Sequence, residues 1–229
     1  MSRWRAIVFD LDDTLYPERD YVLSGFKAVA AWAKTQLSIS SELGFNELNT
    51  LFEEGVRGNT FDKWLEKHRL KSNWVPQMVE VYRNHEPDIK PYPEAPGLLK
   101  KLHSDFRLGL LSDGYSSVQK RKLASLRLES FFDAIVLSDE WGRNSWKPNP
   151  RPFEIVVDKL GVNVFEAIYV ADNPIKDFYG ARSICMHTIR IRHCDGLYSH
   201  LEPPTLEHAP DAEIKDLREM ETILSDFPD

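Results

Sequence analysis

Cysteine is scarce in this sequence. Its 229 residues include two cysteines, Cys185 and Cys194, which form no CxxC motif and allow at most one disulfide bond. Disulfide bonds persist mainly in oxidising compartments, and the spacing of this pair matches no zinc-ligand pattern. We therefore expect a reduced, cytoplasmic protein without a redox or zinc centre.

A long apolar run and an excess of positive charge are also absent. The longest strongly apolar run, around residues 108–111, is far short of the roughly 20 residues that span a bilayer. The run at residues 6–9 is too short for a signal peptide. The 29 basic and 36 acidic residues give a net charge of −7, which argues against a broad surface for nucleic acid or anionic lipid. We therefore expect no membrane partner and no nucleic-acid partner.

The residues that are present are typical of a globular protein, because an apolar fraction of 42% is too high for a disordered chain. Short apolar runs that end at polar turns predict buried strands at residues 6–9, 108–111, 134–137, 168–171 and 188–191. Helical patterns follow at residues 94–103, 117–126, 152–160, 175–183 and 215–224. The alternation predicts an α/β fold with a doubly wound, Rossmann-like parallel sheet.

One segment breaks this alternation. Between the first two strands, helical patterns at residues 21–36, 42–54, 60–69 and 74–84 occur without a clear strand. A segment of this length is too long for a simple crossover connection and predicts a small helical bundle. We expect a catalytic core of residues 1–15 and 88–229, a helical cap of residues 16–87, and a hinge at residues 16–21.

Polar residues follow the ends of the predicted strands. They are Asp10-Leu11-Asp12-Asp13-Thr14, Ser112-Asp113-Gly114, Trp146-Lys147-Pro148, and Asp172-Asn173-Pro174 with Asp177 beyond. Because the carboxyl ends of parallel strands meet at one edge of the sheet, these side chains should share one crevice. Carboxylates at that density repel one another unless a cation is bound among them, and a hard divalent ion such as Mg²⁺ suits them best. A carboxylate can also act as a nucleophile and form an acyl phosphate.

With these four motifs in this order, the chain resembles the hydrolases of the haloacid dehalogenase (HAD) superfamily, in the subfamily whose helical cap lies between the first and second motifs. The resemblance covers nearly the whole chain. Ala171 stands where the family often has glycine, and the segment at residues 141–146 is longer and more aromatic than usual. We expect that segment to form part of the substrate mouth.

The resemblance implies a role for each motif residue. Asp10 would be the nucleophile, and Asp12 the general acid toward the leaving alkoxide and then the base for water. Ser112, Asp113, Gly114 and Lys147 would hold the transferring phosphoryl group. The implied Mg²⁺ site would consist of Asp10, Asp172 and the backbone carbonyl of Asp12, with Asp177 binding a metal-bound water or orienting Lys147.

Several related activities use the same motifs. A haloacid dehalogenase displaces halide without a proton and typically lacks the second aspartate of the first motif, so Asp12 favours phosphoryl chemistry. A phosphonate hydrolase would need a buried cap lysine, for which Lys27, Lys34 and Lys63 are available. A phosphomutase and a non-catalytic binding module remain as alternatives.

We expect a magnesium-dependent phosphatase of a small phosphorylated metabolite. Family analogy favours a sugar phosphate as its substrate. The sequence indicates no oligomeric state.

Overall fold

The computed structural model describes residues 3–226 and contains one six-stranded sheet in which all neighbouring strands are parallel. Its strands are β1 (Ala6–Phe9), β2 (Arg107–Ser112), β3 (Ala134–Leu137), β4 (Ala167–Ala171), β5 (His187–Ile191) and β6 (Ala212–Ile214). Their order is β3-β2-β1-β4-β5-β6. The predicted doubly wound α/β sheet is confirmed, and β6 is a strand that the sequence pattern did not predict.

The helices follow the predicted order. They are α1 (Glu18–Gln36), α2 (Ser41–Glu53), α3 (Thr60–Lys67), α4 (Val75–Asn84), α5 (Ala95–Leu102), α6 (Ser116–Leu126), α7 (Arg151–Leu160), α8 (Phe178–Ser183) and α9 (Met220–Asp226). Two predicted helices begin later than expected. Helix α8 begins at Phe178 rather than residue 175, because the preceding residues form a turn in which the Asp177 amide donates to the Asn173 carbonyl. The segment before α9 is a 3-10 turn at Leu217–Glu219.

The core of the sheet is apolar on both faces, as is usual for parallel strands covered by helices. Every residue of β1 and β4 is buried. One face carries α7, whose Phe153 and Val156 belong to the same buried cluster as Val8 and Val136 of the sheet. Burial of these strands fixes the positions at which they end, and those ends carry the polar motifs.

The chain divides into two compact units. The first comprises Met1–Arg19 and Lys90–Asp229, of which residues 1, 2 and 227–229 lie outside the described part, and the second comprises Asp20–Ile89. The second unit is helical and has its own core, in which Leu48, Trp64 and Met78 are fully buried. Within residues 3–226, no helix is long and apolar enough to cross a bilayer.

Candidate active site

The candidate site lies at the carboxyl ends of β1, β2 and β4. Strand β1 has β2 on one side and β4 on the other, so the chain reverses its direction of winding at β1. Ligands of open α/β sheets bind in the crevice at such a switch point. Asp10 directly follows β1, and its amide donates to the Val170 carbonyl of β4 at 2.9 Å. The backbone ladder therefore continues to the nucleophile position that the resemblance implies.

Lys147 is the central cation of this site. Its ammonium nitrogen lies 2.9 Å from Asp10 Oδ2 and 2.7 Å from Asp177 Oδ1, and it donates to the Tyr169 hydroxyl at 2.8 Å. The side chain is fully buried. Burial alone would lower the pKa of Lys147, but the charges of Asp10 and Asp177 raise this pKa above its ordinary value. Lys147 is therefore a charged donor inside the protein.

Three buried carboxylates come together beside Lys147. Asp10, Asp172 and Asp177 each offer one oxygen atom, and these atoms lie within 4.8 Å of one another. Burial raises the pKa of Asp10 to about 6, although Lys147 opposes this shift. Burial and the charges of Asp177 and Asp10 raise the pKa of Asp172 well above its usual range. The cluster therefore resists full ionisation in the absence of a further positive charge.

The donor set of this cluster fits a hard cation. The Oδ2 atom of Asp172 is buried, and no residue in the described part of the chain forms a hydrogen bond with it. Asp177 is better satisfied, because its Oδ2 accepts the Asn173 amide at 2.9 Å and its Oδ1 contacts Lys147. Oxygen ligands with net negative charge are the set that Mg²⁺ prefers. The unsatisfied oxygen of Asp172 is thus available as a ligand.

Ser112 and Asp113 lie at the end of β2. Ser112 is fully buried, and its hydroxyl oxygen accepts a hydrogen bond from Gln119 Nε2 at 2.6 Å. The Asp113 carboxylate accepts the Ser138 hydroxyl at 2.5 Å and the Lys147 amide at 3.1 Å. The Asp113 side chain thereby holds the segment that carries Lys147. Gly114 follows with a φ of 113°, a conformation that strongly favours glycine.

Asp12 faces helix α6 rather than the carboxylate cluster. Lys122 Nζ lies 2.6 Å from its Oδ1, Gln119 Nε2 donates to its Oδ2 at 2.9 Å, and the Tyr16 hydroxyl also donates to Oδ1. Burial alone would raise the pKa of Asp12, but Lys122 and these hydrogen bonds lower it. The carboxylate is therefore held in its ionised form.

Sequence reasoning missed Gln119, Lys122 and Tyr169 as members of the site. A signal for the first two was present in α6, where the buried positions are Val118, Gln119, Lys122, Leu123 and Leu126. Two polar residues thus occupy the apolar face of an amphipathic helix, which is unusual for long polar side chains. Tyr169 gave no comparable signal, because an aromatic residue in a buried strand is ordinary.

The chain is similar to known proteins over most of its length. A family model described as haloacid dehalogenase-like hydrolase matches residues 7–191. A glyceraldehyde 3-phosphate phosphatase from Methanopyrus kandleri is 33% identical over 97% of this chain and 98% of the relative. A phosphoserine phosphatase from Thermus thermophilus is 29% identical over 87% of this chain and 70% of the relative. The structure of the HAD-hydrolase YfnB from Bacillus subtilis, bound to magnesium, matches with a TM-score of 0.70 at 20% identity, covering 97% of this chain and 99% of that one.

Proposed function

The chain belongs to the haloacid dehalogenase-like hydrolase family, and we propose that it is a magnesium-dependent phosphatase of small phosphorylated metabolites in which Asp10 is the nucleophile. The observation that best supports this proposal is the contact between the Asp10 carboxylate and the Lys147 ammonium group. The ammonium group, 2.9 Å from the carboxylate, neutralises the charge that would otherwise repel an approaching phosphate.

The metal proposed for this site is Mg²⁺. Asp10 and Asp172 would hold it through their carboxylates, and Asp12 would contribute its backbone carbonyl because its side chain is bound to α6. Asp177 already contacts Lys147, which supports a role in orienting that lysine. Bound Mg²⁺ would add positive charge beside the phosphoryl oxygens and favour the ionised form of the carboxylates.

Each residue of the site would have its own role in the reaction. A carboxylate oxygen of Asp10 bonds to phosphorus while the ester oxygen departs with a proton, which the ionised Asp12 takes from the phosphate monoester monoanion and passes on. Water then attacks the phosphorylated Asp10 and gives a proton to Asp12. Asp12 passes this proton to the departing inorganic phosphate, which restores both residues. The Ser112 hydroxyl and the backbone amides of Asp113 and Gly114 would bind the phosphoryl oxygens in both steps, and the positive charge of Lys147 would stabilise them.

A triose phosphate is the substrate that we propose to test first. The relative from Methanopyrus kandleri is named a glyceraldehyde 3-phosphate phosphatase and aligns over almost the full length of both chains. The relative from Thermus thermophilus is named a phosphoserine phosphatase, and phosphoserine carries a carboxylate. A triose phosphate is also consistent with the sugar phosphate that family analogy favours.

Two alternative activities lack support from the site. A dehalogenase needs no group for proton transfer, whereas this site holds the second aspartate of the first motif, Asp12, in place through contacts with Lys122, Gln119 and Tyr16. A phosphonate hydrolase would need a buried lysine in the helical unit, but Lys27, Lys34 and Lys63 are all exposed. A phosphomutase would differ in retaining the phosphoryl group, which the measurement below detects.

Phosphate release from a panel of phosphorylated metabolites, measured with Mg²⁺ and with a chelator, tests the proposal. We expect magnesium-dependent release that is greatest for glyceraldehyde 3-phosphate and falls by about a thousandfold or more in Asp10→Asn, because the nucleophile is lost. Asp105→Asn changes an exposed aspartate of the same unit and should leave release unchanged. Absence of release from every compound by folded protein would contradict the proposal.

A further inference from the structure

Helix α6 supplies two buried polar side chains that contact the first motif. The Lys122 side chain is 5% exposed and its ammonium nitrogen lies 2.6 Å from Asp12 Oδ1. Gln119 is 1% exposed, and its amide nitrogen lies 2.9 Å from Asp12 Oδ2 and 2.6 Å from the Ser112 hydroxyl oxygen. The reaction described above gives neither residue a role.

Burial of a lysine is unfavourable unless its charge is compensated. The neighbouring Lys120 follows the usual pattern, because its side chain is 62% exposed and pairs with Glu140 at the surface. Lys122 is instead directed into the protein and meets the carboxylate that the mechanism uses for proton transfer.

We propose that Lys122 and Gln119 are positioning residues that hold the Asp12 carboxylate in place for proton exchange with the leaving alkoxide and the attacking water. This inference rests on the proposed phosphatase function. Lys122 compensates the charge of Asp12 in the way that Lys147 compensates the charge of Asp10. Each of the two neighbouring carboxylates thus has a lysine of its own, which limits the repulsion between them.

Gln119 adds a geometric constraint to this electrostatic one. Its single amide nitrogen donates both to Asp12 and to the Ser112 hydroxyl, which we expect to bind the phosphoryl group. The Gln119 side chain therefore fixes the distance between the Asp12 carboxylate, which transfers the proton, and the Ser112 hydroxyl. Small errors in such a distance lower the rate steeply.

The leaving group of the substrate provides a selective test. An alkyl phosphate such as glyceraldehyde 3-phosphate needs a proton on its departing oxygen, whereas 4-nitrophenyl phosphate releases a stable phenolate without one. The ratio kcat/KM reports the steps up to departure of the leaving group. In Lys122→Met we expect kcat/KM to fall about thirtyfold for the alkyl phosphate, within the usual contribution of general acid catalysis, and to stay within about threefold for the aryl phosphate.

Further variants separate positioning from general damage. Lys122→Arg, which keeps the charge, should retain part of the activity toward the alkyl phosphate. Gln119→Met should show the same selective loss of kcat/KM, but a smaller one than Lys122→Met. Lys122→Gln, which keeps a hydrogen-bond donor, provides a second test of selectivity if Lys122→Met fails to fold. Lys120→Met on the exposed face of the same helix should match the unmodified protein for both substrates.

The possible results distinguish the inference from the function on which it rests. Equal losses for the two substrates, or no loss for either, in folded Lys122 variants would overturn the positioning role while leaving the phosphatase intact. Failure of the unmodified protein to hydrolyse these two compounds and every other compound of the panel would instead overturn the proposed function, and this inference with it.

Discussion

Lys147 is a fully buried lysine whose ammonium group is surrounded by oxygen atoms. Two of them belong to the Asp10 and Asp177 carboxylates, and the third is the hydroxyl of Tyr169. An ammonium group has three hydrogens to donate, so Tyr169 completes its set of partners. The phenol ring is itself fixed by an edge-on contact with Phe153 of α7, with ring centroids 4.9 Å apart. The Tyr169 hydroxyl thus connects the aromatic core to Lys147.

Removal of that hydroxyl is the first prediction at the residue scale. Tyr169→Phe keeps the ring packing but leaves one Lys147 hydrogen without its acceptor, so we expect the free energy of unfolding to fall by about 1–3 kcal/mol. Urea denaturation measures this change. Tyr179→Phe, at a tyrosine that is 43% exposed, is the matched control and should change stability by less than about 0.5 kcal/mol. Equal effects of the two substitutions would contradict a specific role for the Tyr169 hydroxyl.

At the scale of elements, α8 and the segment that carries Lys147 approach each other closely at Gly180. A Cβ atom at this position would lie 2.3 Å from the Pro148 carbonyl oxygen and 2.9 Å from the Phe153 ring. Because one contact is with backbone, a side-chain rotation cannot relieve it. Asp177 lies one turn earlier, at the start of α8, and contacts Lys147. Glycine here lets the helix place this carboxylate beside the lysine.

Gly180→Ala tests this close approach. We expect the substitution to destabilise the protein by about 1–3 kcal/mol, as overpacking of a core does, and to lower phosphatase activity because Asp177 moves away from Lys147. Gly97→Ala in α5 is the control, since no described atom lies within 4 Å of a Cβ there. That variant should be unchanged or slightly stabilised. Thermal unfolding and phosphate release together measure both effects, and a fully active, stable Gly180→Ala would contradict the argument.

Some strands and helices could be predicted from the sequence alone, and others could not. Strands β1 and β4 were predictable because a strand buried on both faces is a short apolar run whose polar end is visible in the sequence. Strand β6 was not, because it has only three residues and one of them, Glu213, is charged and pairs with Arg192. For α6 the helix was predictable, but the partner of its buried Lys122 was not. Which carboxylate a side chain meets depends on tertiary packing, which the spacing of residues does not record.

At the scale of the whole molecule, the site joins residues that are far apart in the chain. Asp10 and Lys147 are in direct contact, although they follow different predicted strands. Their meeting was predictable, because it follows from the parallel topology and the switch point at β1. The protonation of the assembled cluster was harder to foresee, because it depends on how deeply each carboxylate is buried.

That protonation couples the stability of the whole protein to pH and to magnesium. In the folded protein burial raises the pKa of Asp10 to about 6, whereas an unfolded aspartate titrates near 4. Between these values the folded state binds more protons than the unfolded state. In the presence of a chelator, the free energy of unfolding contributed by this group should therefore fall as the pH rises from about 4 to 7.

Magnesium should reverse this loss, because it binds the ionised carboxylates and competes with protons for them. At pH 7.5 we expect saturating Mg²⁺, at about a hundred times its Kd, to stabilise the protein by about 2.7 kcal/mol and so to raise Tm by several degrees. At pH 5 the rise should be less than half as large, because Asp10 and Asp172 hold protons. Asp172→Asn should abolish the magnesium-dependent rise in Tm at both pH values. An equal rise at pH 5 and pH 7.5, or one that persists in Asp172→Asn, would show that the ion binds elsewhere.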